Sequence, residues 1–413
     1  MKKYFLLLVA FVFIFSSCLD DTATPDDNKI IHLDEKSAQL IEADNAFGLE
    51  LFQKVREGSD EENIMISPLS VSLALAMTYN GADGTTKTAM EETLKLAGLT
   101  TDEINASYQY LVDALLEVDD DVLLDIANAI FYRQGFTVEE DFVSVNNTYY
   151  DAEVSALDFT NPDAKDIMNN WVAEKTNDKI KEIIDHISGD HVMFLLNAVY
   201  FKGTWKYEFD EDGTHELPFT KNDGSVIQAP MMNQEGTHLY QSNELFEAVK
   251  LPYGNGHYNM VVLVPKGENT LGGLVAEISA TNWGYWMGNF SEVNKVNVTM
   301  PRFKFEFEEK LNDALIDMGM GVAFTPGVAN FTKINKAGHL NIDEVKHKTF
   351  IDVNETGTEA AAVTSVSIVF STAMPADEKI YFRADKPFLF AITEEDIGAI
   401  LFIGEVTNPV YED

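Results

Sequence analysis

Glu355-Thr-Gly-Thr-Glu-Ala-Ala-Ala-Val-Thr-Ser-Val-Ser-Ile-Val-Phe-Ser-Thr-Ala-Met-Pro375 is the stretch around which the rest of the chain is arranged. It starts polar, passes through three alanines and ends β-branched, at Met374-Pro375. By parity it reads as a strand. Thr358, Ala360, Ala362, Thr364, Val366, Ile368 and Phe370 share one face; Glu359, Ala361, Val363, Ser365, Ser367 and Val369 share the other. A small-to-apolar face opposite a mixed polar one is the pattern of a half-buried strand. Gly357 and Pro375 punctuate its ends. No short turn on the N-terminal side marks a hairpin. Bulk grows from Ala360 toward Phe370, as suits a segment sliding narrow end first into a closing gap. The same residues also suit an exposed loop, or a short alanine helix capped by Thr358.

The chain has 413 residues and is 46% hydrophobic, enough for a large core. Asp and Glu number 68 against 29 Lys and Arg, a formal charge of −39. Such a surface repels phosphate backbones, so neither nucleic acid nor a heparin-type polyanion is an expected partner.

Residues 1–17 read as a signal peptide: Lys2 and Lys3 lead, and an apolar run too short to span a bilayer follows. Ser16-Ser17-Cys18 resembles the lipobox of bacterial lipoproteins, which makes Cys18 the acylated first residue. Residues 18–36 then form an acidic tether, and residues 37–413 the folded domain. The expected location is the cell envelope, on the outer membrane, surface-exposed or periplasmic, with membrane contact through the N-terminal lipid alone. Cys18 is the only cysteine, so the mature fold has no disulfide.

Helices are expected at 37–56, 69–79 (capped by Ser67, with Pro68 at its first position and Gly81 ending it), 86–96, 104–116 and 164–184. The last shows Ile167, Trp171 and Thr176 on one face. Strands are expected at 122–132 and 192–201, in a hairpin at 246–264 turning on Asn255-Gly256, at 296–307 with a phase shift at Pro301, and as two closing strands within 388–402. A short helix is expected at 310–318. With no repeat and no linker, this is one large α+β domain.

No phosphate loop and no nucleophile elbow is present. His186 and His191 are close in sequence, but Ser188-Gly189 breaks any helical pairing, so no metal site is expected there. No cofactor and no metal is expected, and no constellation marks an enzyme. Polar residues interrupt buried segments, however: Asn197 within 192–201, Ser67 and Ser70 at the start of a core helix, and His347 before the 355–375 stretch. Buried polar groups need partners. These four form either a network between strands that must open or separate, locally satisfied groups.

Several blocks resemble the serpin family. They are Asn63-Ile-Met-Ile-Ser-Pro-Leu-Ser-Val-Ser-Leu-Ala-Leu-Ala-Met-Thr-Tyr-Asn-Gly-Ala82, Leu196-Asn-Ala-Val-Tyr-Phe-Lys-Gly-Thr-Trp205, Val249-Lys-Leu-Pro-Tyr253, Met300-Pro-Arg-Phe303 and Lys386-Pro-Phe-Leu-Phe390 with Gly404-Glu-Val-Thr-Asn-Pro409. The resemblance implies several helices around three β-sheets with an exposed reactive loop. It also implies a monomeric inhibitor that traps target proteases in a covalent acyl complex while the cut loop enters the main sheet. The hinge of that loop falls on Glu355, Gly357, Thr358, Glu359, Ala360, Ala361 and Ala362. Ser67, Ser70, Asn197 and His347 match positions beneath the opening strands, and Trp205 matches the tryptophan near the first point of insertion. Family spacing sets the reactive bond at Ser371-Thr372, with Phe370 and Ala373 as alternatives. Elastase- or chymotrypsin-like serine proteases, and also papain-like cysteine proteases, are the implied targets; a non-inhibitory binding or carrier protein is the alternative.

Overall fold

The computed structural model describes residues 29–359 and 379–411. The helices are α1 (Glu35–Gly58), α2 (Pro68–Tyr79), α3 (Gly84–Thr93), α4 (Thr101–Glu117), α5 (Glu140–Tyr150), α6 (Ala164–Lys175), α7 (Leu271–Ala276), α8 (Ala280–Met287), α9 (Asn312–Leu315) and α10 (Gly321–Phe324). The strands are β1 (Ile64–Ile66), β2 (Val122–Arg133), β3 (Glu153–Leu157), β4 (Met193–Thr204), β5 (His215–Thr220), β6 (Val226–Ser242), β7 (Phe246–Tyr253) and β8 (Tyr258–Pro265). They continue with β9 (Ser291–Pro301), β10 (Phe303–Lys310), β11 (Lys346–Asn354), β12 (Gly357–Thr358), β13 (Ile380–Arg383), β14 (Phe388–Glu394) and β15 (Ile400–Val406).

One sheet has the order β10-β11-β12-β4-β2-β3. The other has the order β1-β15-β14-β8-β7-β6-β9-β13, with β5 on β6. The fold is therefore α+β. Two of the three implied sheets are joined into one hydrogen-bonded network, because the 17-residue β6 pairs in turn with β5, β9 and β7. β7, β8, β14 and β15 are almost wholly buried, as their continuous apolar runs require of strands covered on both faces. α2 is apolar nearly all round and lies against both β4 and β15, so it forms the spine between the sheets. Ser67 caps it, accepting from the Ser70 N–H, and Pro68 follows at the first helical position.

Some boundaries differ from expectation, each for a local reason. The helix expected over 164–184 ends at Lys175, because Asn177 and Asp178 take left-handed backbone (φ 49° and 60°). The chain beyond it is irregular, with Ile180, Ile183 and Ile184 buried. Asn169 of α6 accepts the backbone N–H groups of Ile183 and Ile184 and so satisfies that segment. Trp171 and Thr176 are buried as expected of one face, but Ile167 is 42% exposed. The expected strand 296–307 is two strands in different sheets, β9 and β10, separated at Arg302. Gly81 does not end α2 through a left-handed turn. It makes room for Ile334, whose Cγ1 would lie 2.2 Å from an added Cβ.

Candidate functional site

After Asn354 the chain reverses in two residues, Glu355 and Thr356, and Gly357–Thr358 runs back as β12. β12 pairs antiparallel with β11 on one side, Val353 opposite Thr358 and Asn354 opposite Gly357. On the other side it pairs antiparallel with β4, Gly357 opposite Thr204 and Thr358 opposite Gly203. Among the described residues no ladder joins β11 directly to β4. The tight hairpin corrects the expectation of no N-terminal turn. Its signal is Asn354, whose Oδ1 accepts from Thr356 N at 3.0 Å and from Thr356 Oγ1 at 2.7 Å; a side chain substitutes for the usual turn dipeptide.

Gly357 has φ 151°, and a Cβ there would lie 2.1 Å from the Gly203 carbonyl oxygen, so only glycine fits. Gly203 is itself covered by the Tyr253 ring, 2.8 Å from an added Cβ. The Tyr253 hydroxyl and Thr358 Oγ1 share a hydrogen bond of 2.6 Å, and burial raises the Tyr253 phenol well above its usual range. Trp205 stacks on Tyr253 with ring centroids 4.3 Å apart. It donates from Nε1 to the Asn354 carbonyl and from its backbone N–H to the Thr356 carbonyl, each at 2.9 Å. The expected insertion-point tryptophan therefore clamps both sides of the turn.

Two carboxylates fix the turn's ends. Glu355 is 3% exposed; Arg302 Nε donates to its Oε1 at 2.7 Å and the Thr214 hydroxyl donates to the same oxygen. Such a pair is strongly directional when removed from water. Glu359 takes left-handed backbone at φ 56°, and its N–H still donates to the Asp352 carbonyl at 2.9 Å. Its carboxylate lies 2.8 Å from Lys179 Nζ, in the bend after α6, and that ammonium sits 5.0 Å above the Phe350 ring. Thr358 thus meets Tyr253 while Glu359 meets Lys179. Val199 and Phe201 of β4, Phe350 and Ile351 of β11, Ile180 and Glu359 line a narrow cleft.

Ser67, Ser70 and His347 come together beneath this sheet. The Ser67 backbone N–H donates to His347 Nε2 at 2.9 Å, which leaves the ring proton on Nδ1. Burial pushes the His347 imidazole down to about 4, so it is neutral at pH 7. Asn197 joins a different pair: its Nδ2 donates to Asn128 Oδ1 at 2.8 Å, and Asn128 Nδ2 donates to the Tyr150 carbonyl. Asn197 Oδ1 is buried and accepts no hydrogen bond among the described residues. Asn128 was legible by the same signal as Asn197, an amide inside an apolar strand. The roles of Lys179 and Thr214 had no sequence signal, since each meets its carboxylate only through the fold. His186 and His191 do approach, with ring centroids 5.7 Å apart. Cys18, Ala360, Ala361, Ala362, Phe370, Ser371, Thr372 and Ala373 lie outside the described residues.

A family model described as serpin (serine protease inhibitor) matches residues 42–409. An uncharacterized serpin-like protein of Methanosarcina acetivorans is 33% identical over 425 residues, covering 100% of this chain and 99% of that protein. The native-state crystal structure of the thermophilic serpin tengpin is similar with a TM-score of 0.82 and 33% identity, covering 92% of this chain and 96% of that one. Human thyroxine-binding globulin is similar with a TM-score of 0.81 and 26% identity, covering 91% of this chain and 100% of that one.

Proposed function

This chain belongs to the serpin family, and from that premise we propose that it inhibits proteases as a suicide substrate. Members of the family are in general protease inhibitors rather than catalysts. A serine protease attacks the Ser371 carbonyl; its hydroxyl oxygen takes the acyl group, the Ser371-Thr372 bond breaks, and the proton passes to the Thr372 amine. Phe370 and Ala373 supply neighbouring bonds for proteases of other preference. The severed segment then enters the six-stranded sheet between β11 and β4, and the attached protease is carried with it and distorted before water releases it.

The observation that carries this reading is β12, two residues long and already bonded to both flanking strands. Continued past Thr358, the same two registers would bring Thr364 opposite both His347 and Asn197, the polar residues of the flanking strands. Ala360 and Ala362 would pass Ile351 with Phe201 and Thr349 with Val199, where bulk would obstruct. Val366 and Ile368 would follow, each stabilising by about 1.5–3 kcal/mol if fully buried. New backbone hydrogen bonds, about 1 kcal/mol each, roughly offset the ordering cost of about 1–2 kcal/mol per residue, so these side chains and strain released elsewhere tip the balance.

We also propose that Cys18 is lipidated and holds the domain at the outer membrane, facing outward or into the periplasm, and that single chains act alone. Incubation with elastase tests the main reading: a complex that survives denaturing electrophoresis is expected, with Ser371 identified by mass spectrometry as the linked residue. The likeness to thyroxine-binding globulin, a binding protein by name, supports the alternative of a carrier. Cleavage without a trapped protease and without a gain in thermal stability would establish that alternative.

A further inference from the structure

His257, Glu394 and Asp396 meet at one end of the nine-stranded sheet. His257 lies in the turn from β7 to β8, Glu394 closes β14, and Asp396 lies in the turn to β15. The two turns are bound together, since Glu394 is opposite Tyr258 and the Glu395 N–H donates to the His257 carbonyl at 2.8 Å. One ligand atom from each side chain lies within 4.8 Å of the others. His257 Nδ1 is 3.7 Å from Asp396 Oδ2, against about 3.4 Å for two ligands on a tetrahedron with bonds of about 2.1 Å.

Glu394 gives the independent indication. Among the described residues the buried glutamates are Glu355, Glu394 and Glu405. Glu355 meets Arg302 and Glu405 meets Arg56. Glu394, 1% exposed, meets no lysine or arginine among the described residues. Among the described residues its oxygens accept the backbone N–H groups of Asp396 and Ile397, at 3.1 and 2.8 Å, which orient the carboxylate and leave lone pairs open. Neighbouring Lys250 is held by Glu395 at 2.7 and 2.8 Å. A buried carboxylate without a cation is costly, and imidazole beside carboxylates suits zinc-class ions, whereas calcium and magnesium prefer all-oxygen shells.

We infer that His257, Glu394 and Asp396 bind one divalent transition-metal ion of the zinc class, with water completing its shell. The ion ties the β7–β8 hairpin to the C-terminal β14–β15 hairpin, in a domain whose sequence holds no cysteine after Cys18 to form a disulfide. The site is independent of the inhibitory reading.

Zinc chloride titrated into the chelator-stripped mature chain, followed by calorimetry and thermal unfolding, tests this. One zinc per chain is expected, with a rise in Tm that chelator reverses and that equal calcium or magnesium does not give. His257→Ala and Asp396→Asn, both at partly exposed residues, are each expected to weaken zinc binding at least tenfold and to remove the rise in Tm, with near-ultraviolet circular dichroism unchanged. The double variant His186→Ala/His191→Ala is expected to bind as the parent does. No stoichiometric zinc, or a stoichiometric site that survives both His257→Ala and Asp396→Asn, would overturn the assignment.

Discussion

On α1, Asp44 is buried, and the Tyr108 hydroxyl of α4 donates to its Oδ1 at 2.7 Å. Burial pushes this carboxyl up to about 7, although the Tyr108 and Ser72 hydroxyls oppose the shift. Because the folded value lies above the unfolded one, the group's contribution to stability is complete below about pH 4 and is lost as pH rises through about 7. Asp44→Asn should therefore raise the unfolding temperature at pH 8, by the equivalent of a few kcal/mol at most, and the gap should close toward pH 5; differential scanning calorimetry at the two pH values checks it. Gly357 presents a steric case. Gly357→Ala forces a methyl toward the Gly203 carbonyl, and a loss of about 1–3 kcal/mol in stability is expected together with more cleavage per protease trapped, read as the stoichiometry of inhibition.

At the scale of elements, β12 is the part that grows in the proposed mechanism. Thr358 is 3% exposed and bonded to Tyr253, with no room for a guanidinium. Thr358→Arg should turn the protein into a cleaved substrate with no complex on a denaturing gel; full inhibition by this variant would remove the insertion mechanism. Glu359, turned out of the strand and held by Lys179, restrains the next residue pair. Lys179→Ala should hasten loss of inhibitory activity on warming by about two- to fivefold, the scale of a partly exposed ion pair of about 0.5–1 kcal/mol, followed as residual activity against time. Much of this element was legible. Parity put Thr358 on the inner face, and it is there. Parity set Glu359 apart from Thr358, and the two meet different partners, Lys179 and Tyr253; that a lysine distant in sequence holds Glu359 was not legible, because alternation carries no information about such a partner. Ser67 and His347 could be picked out as polar residues in apolar surroundings, and they do meet. That Asn197 would turn to Asn128 was not legible, because the pairing follows from the β2–β4 register, which single strands do not encode.

Over the whole molecule, adding a strand to the six-stranded sheet should be visible as heat resistance. The chain nicked near Ser371 is expected to unfold on the order of 10 °C or more above the intact chain, by calorimetry at one scan rate; an unchanged temperature would remove the metastable body from the argument. The formal charge of −39 makes encounter with a cationic protease fast at low salt. The association rate should fall by about tenfold between low and physiological ionic strength, in stopped-flow measurements. β12 bears on speed as well. A zipper is slow to engage its first teeth and quick thereafter, and here two rungs are engaged on both edges before any protease arrives. In the proposed mechanism nucleation is thus removed from the contest with deacylation, and what remains after the cut is propagation, rung by rung, along rails already aligned.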